Sequence, residues 1–291
     1  MANEDDFFES LNAGQGVAKR PKEIYIIGRG GIGKSGLTLT DALPNKFYLT
    51  LEAGNDWHNE LMFKNSHGNS VVPTSFEQAM LMLKKLSQKA YRDTLPFEVQ
   101  TVVIDSITFL QDLIYSDIVA KNPVTNDKNA KPVKCIDDLG FAGYGLAMSY
   151  WVRFFAFVDY FKSKGLNVVI IGHAIAQNTT TDSNQATKVW NIALQAYGQH
   201  NVQILVEKRC DAILHLYTTR NGVVIGSGKW AKTNADTSTV QTVVQLRETS
   251  LRFAKVRTAI GNEKNIADAY YFDMHDRDEV ITEIFNQLLE G

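Results

Sequence analysis

Apolar runs of strand length recur along the chain, and each ends on a glycine or a polar side chain. Residues 24–28, 46–52, 99–105 and 166–173 are β-branched or aromatic through their middles. Such near-continuous runs predict strands buried on both faces, as in a parallel sheet. Between them the apolar spacing turns helical. Phe76, Ala79, Met80, Leu83 and Leu86 share one face of a helix predicted over 74–89, with Thr74 or Ser75 as N-cap. Residues 107–120 give a second helix. Ala147, Trp151, Phe154, Phe155, Val158 and Phe161 make a broad apolar stripe on a third, over 141–164, which Gly165 ends. The polar stretch 121–140, with two prolines, reads as a loop, and the Thr/Asn/Asp-rich stretch 177–185 as a mobile one.

Beyond residue 200 the pattern predicts a helix within 200–208, a strand over 212–217 and a hairpin turn at 220–223. Strands follow near 243–247, 251–257 and 270–272. A last helix over 276–290 carries Val280, Ile281, Ile284, Phe285, Leu288 and Leu289 at helical spacing. Alternating strands and helices followed by hairpins predict an α/β fold: a mostly parallel central sheet flanked by helices, with an antiparallel C-terminal extension. The expected organisation is an N-terminal arm (1–22), a core (23–275) and a closing helix (276–291). The arm carries Phe7 and Phe8 among acidic residues, either as a frayed terminus or as a contact for a neighbouring subunit.

Composition narrows the class. With 291 residues, 44% hydrophobic and 21% charged, the chain has enough apolar surface for a large core without staples. No run approaches a membrane span, and the acidic start is unlike a signal peptide. Two cysteines, Cys135 and Cys210, form no C-x-x-C pair, which fits a reducing cytoplasm and argues against zinc. A formal net charge of -2 requires any nucleic-acid contact to be concentrated in particular loops.

The chemistry starts at the end of the first strand. Gly28, Gly33, Lys34 and Ser35 fit the phosphate-loop pattern G-x-x-x-x-G-K-[ST], and residues 37–43 can form the following helix before Pro44. Residues 28–36 (Gly28, Arg29, Gly30, Gly31, Ile32, Gly33, Lys34, Ser35 and Gly36) are the candidate cradle for ATP. In it the backbone N–H groups turn inward, Lys34 reaches the β- and γ-phosphates, and the Ser35 hydroxyl holds Mg²⁺. Parallel sheets take ligands at the carboxyl ends of their strands. Gly28, Glu52, Asp105 and His173 all end predicted strands. Asp105 is placed to hold Mg²⁺ through water, and Glu52 to polarise a water for attack on the γ-phosphate. Ser106, next after the metal-binding acid, cannot act as that base. His173 is either structural or a sensor of the γ-phosphate.

Residues 28–35, Leu51–Glu52, Val102-Val-Ile-Asp-Ser106 and Val169-Ile-Ile-Gly-His173 together resemble the RecA core. With the Gly-Tyr-Gly stretch at 143–145, the chain resembles more closely the phage-encoded RecA-core ATPases of single-strand annealing and recombination, over roughly 22–275. The resemblance implies an oligomeric, Mg²⁺-dependent ATP hydrolase with ATP between adjacent copies. It also implies action on single-stranded DNA, a single-strand DNA-binding protein as a further partner, and the host cytoplasm as location. The DNA loops would be about 121–145, with Lys121, Lys128, Lys131 and Lys134 beside Asp127, Asp137 and Asp138, and about 176–198, with Lys188 and Trp190. Lys255 and Arg257, on one face of their strand, would reach a neighbour's γ-phosphate, and Trp57 would flank the adenine. His173 departs from the amide of RecA itself. Two rival readings are a nucleotide-gated loader with little turnover and a small-molecule kinase.

Overall fold

The computed structural model describes residues 20–52, 61–66, 68–125, 130–180, 186–220, 240–257, 266–273 and 276–290. Phe7, Phe8, Trp57, Lys128 and the turn after Arg220 lie outside these residues. The sheet is built on β1 (Glu23–Gly28), β2 (Lys46–Thr50), β3 (Leu61–Met62), β4 (Thr101–Asp105) and β5 (Asn167–Thr180). To these are added β6 (Ala186–Ile192), β9 (Ala212–Arg220), β10 (Val240–Gln245), β11 (Lys255–Val256) and β12 (Ala269–Phe272). Two short strands, β7 (Ala196–Tyr197) and β8 (His200–Asn201), pair separately.

The order across the main sheet is β12-β10-β9-β1-β5-β4-β2-β3. From β9 to β3 all neighbours are parallel, while β10, β12 and β11 are antiparallel additions. The expected α/β architecture, parallel sheet with an antiparallel extension, is therefore present. Each central strand serves two cores. Tyr25 and Ile27 face one with α2 (Phe76–Ser87), α4 (Ile107–Lys121) and α5 (Gly140–Ser163), which follow α1 (Lys34–Leu37) and flank the short α3 (Lys89–Arg92) in the chain. Ile24 and Ile26 face the other with Leu37, Leu43 and α7 (Arg277–Glu290), which comes after α6 (Val202–Arg209). The predicted stripes are the buried ones: Phe76, Ala79, Met80, Leu83 and Leu86 on α2, and Trp151, Phe154, Phe155, Val158 and Phe161 on α5. Ser75 caps α2, its hydroxyl accepting from the Gln78 N–H at 3.3 Å.

Three expectations are corrected. The helix predicted over 37–43 is instead the single turn α1, followed by bends. Thr38 Oγ1 donates to the Ser35 carbonyl at 2.7 Å, and Leu43 N–H bonds Thr40 O at 3.3 Å. Hydroxyls and three-residue bonds of this kind compete with helix continuation. The stretch 177–185 is strand as far as Thr180, because β5 runs past the sheet and pairs antiparallel with β6 from Ala174↔Ile192 to Thr180↔Ala186. Lastly, the strand predicted over 251–257 shrinks to Lys255–Val256, since 249–252 fold into a turn closed by Thr249 and Arg252.

Candidate nucleotide site

Register carries the strand ends to one rim. Gly28 lies opposite His173 of β5, and Thr50 opposite Asp105. Glu52 follows β2 by two residues, and Leu51 N–H bonds the Asp105 carbonyl at 2.6 Å. The loop leaving β1 turns through left-handed Gly31 and Gly33, the latter at φ 93°, a conformation that favours glycine. Gly28 is required for a different reason. A Cβ there would stand 2.5 Å from the Leu216 carbonyl oxygen of β9.

Inside the loop Lys34 is buried, and its Nζ donates to the Arg29 carbonyl at 2.9 Å. Burial lowers its pKa, and the charges of Asp105 and Glu52 push the other way. Ser35 Oγ donates to Asp105 Oδ2 at 2.5 Å. Asp105 is 3% exposed, so its carboxylate is held at the end of β4 with little room to turn elsewhere. Glu52 Oε2 accepts from Ser106 Oγ at 3.0 Å and lies 3.8 Å from His173 Nε2. The neighbouring His173 ring holds the Glu52 carboxyl below its ordinary range against the opposing effect of burial, and the Ser106 hydrogen bond adds to it. His173 is fixed from behind, its N–H donating to Thr108 Oγ1 at 2.8 Å, and its ring lies over Gly30. Arg29 of the same loop rests on the Trp190 ring of β6, 5.6 Å from its centroid.

Gly28, Gly30, Lys34, Ser35, Glu52, Asp105 and His173 are thus brought together. Lys255 and Arg257 are not. They follow and pair with the start of β9, at the end of the sheet opposite Gly28. There Lys255 Nζ donates to the Glu207 carbonyl and Arg257 to that of Lys208, so both occupy the last carbonyls of α6. Trp190, expected as a stacking partner for a base, has Arg29 over its ring.

Sequence reasoning missed two contributors. Ser106, set aside as unable to act as base, bridges to the base candidate while its hydroxyl also caps α4 by accepting from Phe109 N–H at 3.3 Å. A Ser before a helical run is a cap signal, which could have drawn attention to it. Thr108 orients His173 from the first turn of α4, and nothing in the sequence marked it. Mg²⁺ fits the donors present. Among the described residues no three His, Cys, Asp or Glu side chains form a metal cage. A hydroxyl on a carboxylate, Ser35 on Asp105, suits an ion that keeps water and phosphate as most of its ligands.

A buried strand that opens through glycines onto a lysine and a serine, with the serine facing an acid two strands away, defines a P-loop nucleotide-binding protein. A family model described as an AAA domain (AAA_24) matches residues 20–258, and the chain belongs to that family of P-loop ATPase domains. No curated protein matches the sequence. Among solved structures, the ATPase domain of another protein is similar with a TM-score of 0.41 at 11% identity, over 96% of this chain and 98% of that one. Among the described residues no helix is long and apolar enough to cross a membrane.

Proposed function

We propose that the chain is a Mg²⁺-dependent ATP hydrolase of the RecA type that works as a homo-oligomer on single-stranded DNA in phage recombination, annealing or replication. One observation carries the catalytic part: Glu52, hydrogen-bonded by Ser106 and neighboured by His173, on the rim that carries Lys34 and Asp105. A carboxylate kept ionised there accepts a proton from water as the water oxygen attacks the γ-phosphorus and the bond to the β-phosphate oxygen breaks. Lys34 draws the phosphate charge inward, and Asp105 with Ser35 would hold the ion. Mg²⁺, when bound, neutralises charge on the β- and γ-oxygens. His173, fixed by Thr108, feels the γ-phosphate through Glu52 and passes its state to the hairpin that begins at its own strand.

Support for DNA comes from a cluster of aromatic side chains within the two candidate DNA loops and just after them. Phe141 and Tyr197 are half exposed, Phe141 lies 4.4 Å from the His200 ring, and Tyr144 stacks on Tyr197 at 4.5 Å. Such rings can carry unpaired bases. Assembly is supported by Lys255 and Arg257. From the far end of the sheet they cannot serve their own loop, and a neighbouring copy could take them as a finger in trans.

The test is an ATPase assay with and without single-stranded DNA, beside binding measurements. Lys34→Ala should abolish turnover. Glu52→Gln should retain ATP binding and lose about 10²- to 10⁴-fold in rate. Undiminished turnover in Glu52→Gln would refute the assigned base, and a rate indifferent to DNA would refute the DNA role.

A further inference from the structure

The closing helix α7 starts beside the phosphate loop. Its first residue, Arg277, lays its guanidinium against Gly36, so closely that a Cβ at Gly36 would collide with it. The helix is seated by Val280, Ile281, Ile284 and Phe285 in the core shared with Leu37, and Thr40 Oγ1 meets Thr282 Oγ1 at 3.0 Å. Among the described residues no hydrogen bond or ion pair takes up the Arg277 side chain. A half-buried guanidinium, held against the loop that binds phosphate and given no protein acceptor, is a donor set waiting for an anion.

Its place across the sheet says which part of the nucleotide it meets. Asp105, Glu52 and His173 belong to β4, the end of β2, and β5, all on one side of β1. Arg277 follows β12, whose strand lies on the other side of β1, beyond β9 and β10. A triphosphate with its terminal phosphate at Glu52 and its middle on Lys34 therefore directs its α-phosphate and ribose toward Arg277. We infer that Arg277 binds the α-phosphate of the nucleotide held by its own chain, so that the closing helix is part of the nucleotide site. The inference rests on the nucleotide-binding function proposed above.

Calorimetric titration with MgATP and MgADP tests it on the full chain. Arg277→Ala should weaken both nucleotides by the same factor, on the order of tenfold, because both carry the α-phosphate. Arg277→Lys should recover part of the loss. Gly36→Ala, which puts a methyl where the guanidinium lies, should weaken both as well. The double variant should be no worse than the weaker single one, as expected when both remove one contact. Thr282→Val breaks the neighbouring contact of α7 and should leave ADP affinity within about twofold of wild type. Three results would overturn the inference: unchanged affinity in Arg277→Ala, a loss confined to ATP, or an equal loss in Thr282→Val, which would mean that Arg277 only seats the helix. Binding by the wild type that Lys34→Ala abolishes, with Arg277→Ala unaffected, would sink this inference and leave the function standing. A wild-type chain that binds neither nucleotide would remove both.

Discussion

At the scale of single residues, the behaviour of the rim depends on how Glu52 is kept ionised. Its carboxyl lies below the usual range first because of the adjacent His173 ring and then because of the Ser106 hydrogen bond. As a base it must be deprotonated, so the rate falls on the acid side as pH drops through its pKa. Ser106→Ala removes one of the lowering contacts. The acid limb of the kcat profile should therefore move to higher pH, and His173→Ala should move it further in the same direction. The same sign holds for folding. A lowered carboxyl adds stability above its unfolded pKa and gives it up as pH falls through the folded value. A Ser106→Ala profile that overlays wild type would break the link between the serine and the base. Much at this scale is legible in the sequence: Gly28, Glu52, Asp105 and His173 follow from strand ends, and Lys34 and Ser35 from the phosphate-loop pattern. Thr108 and Arg277 do not. Each acts through a contact between elements far apart in the chain, and no local pattern encodes such contacts.

At the scale of elements, the strands and long helices follow from periodicity because they bury one or both faces, and burial is what periodicity records. The exceptions are instructive. α1 stops after one turn, where Thr38 and Thr40 offer the backbone other partners, and residues 177–180 form strand despite a polar composition. A hairpin beyond the sheet needs no apolar alternation, so its sequence resembles a loop. Two predictions belong here. The contact of Arg29 with Trp190 ties the phosphate loop to β6. Binding of MgATP should change the fluorescence of Trp190, and Arg29→Ala or Trp190→Phe should remove that change; a signal retained in both variants would contradict the coupling. The second concerns the seam between β1 and β9. Gly28→Ala would press a methyl onto the Leu216 carbonyl, and urea unfolding should show a loss of about 1–3 kcal/mol.

On the scale of the whole molecule, the end of the sheet opposite the rim is fastened by charge. Glu23, fully buried at the start of β1, accepts from Arg209 Nε at 2.6 Å and Lys162 Nζ at 3.0 Å, while its N–H donates to Asp211 Oδ2 at 2.8 Å. Glu23 thus gathers the ends of α5 and α6 through its carboxylate and the approach to β9 through its N–H. Removing one member of a buried set leaves charge without compensation. Glu23→Ala should cost about 3 kcal/mol in denaturant unfolding, and Glu23→Gln less; a neutral result would show that Asp159 and Asp211 satisfy both cations. None of this is legible from the sequence, where Glu23 is an acid at the head of an apolar run.

β5 has an unusual position. It lies between β1 and β4, yet continues past His173 to Thr180 beyond the edge of its neighbours. That further extended chain makes a cantilever about 23 Å long, rooted in the middle of the sheet. Because β6 is paired along that whole length, a push on the pair is carried back to its root, where the imidazole adjoins the Glu52 carboxylate.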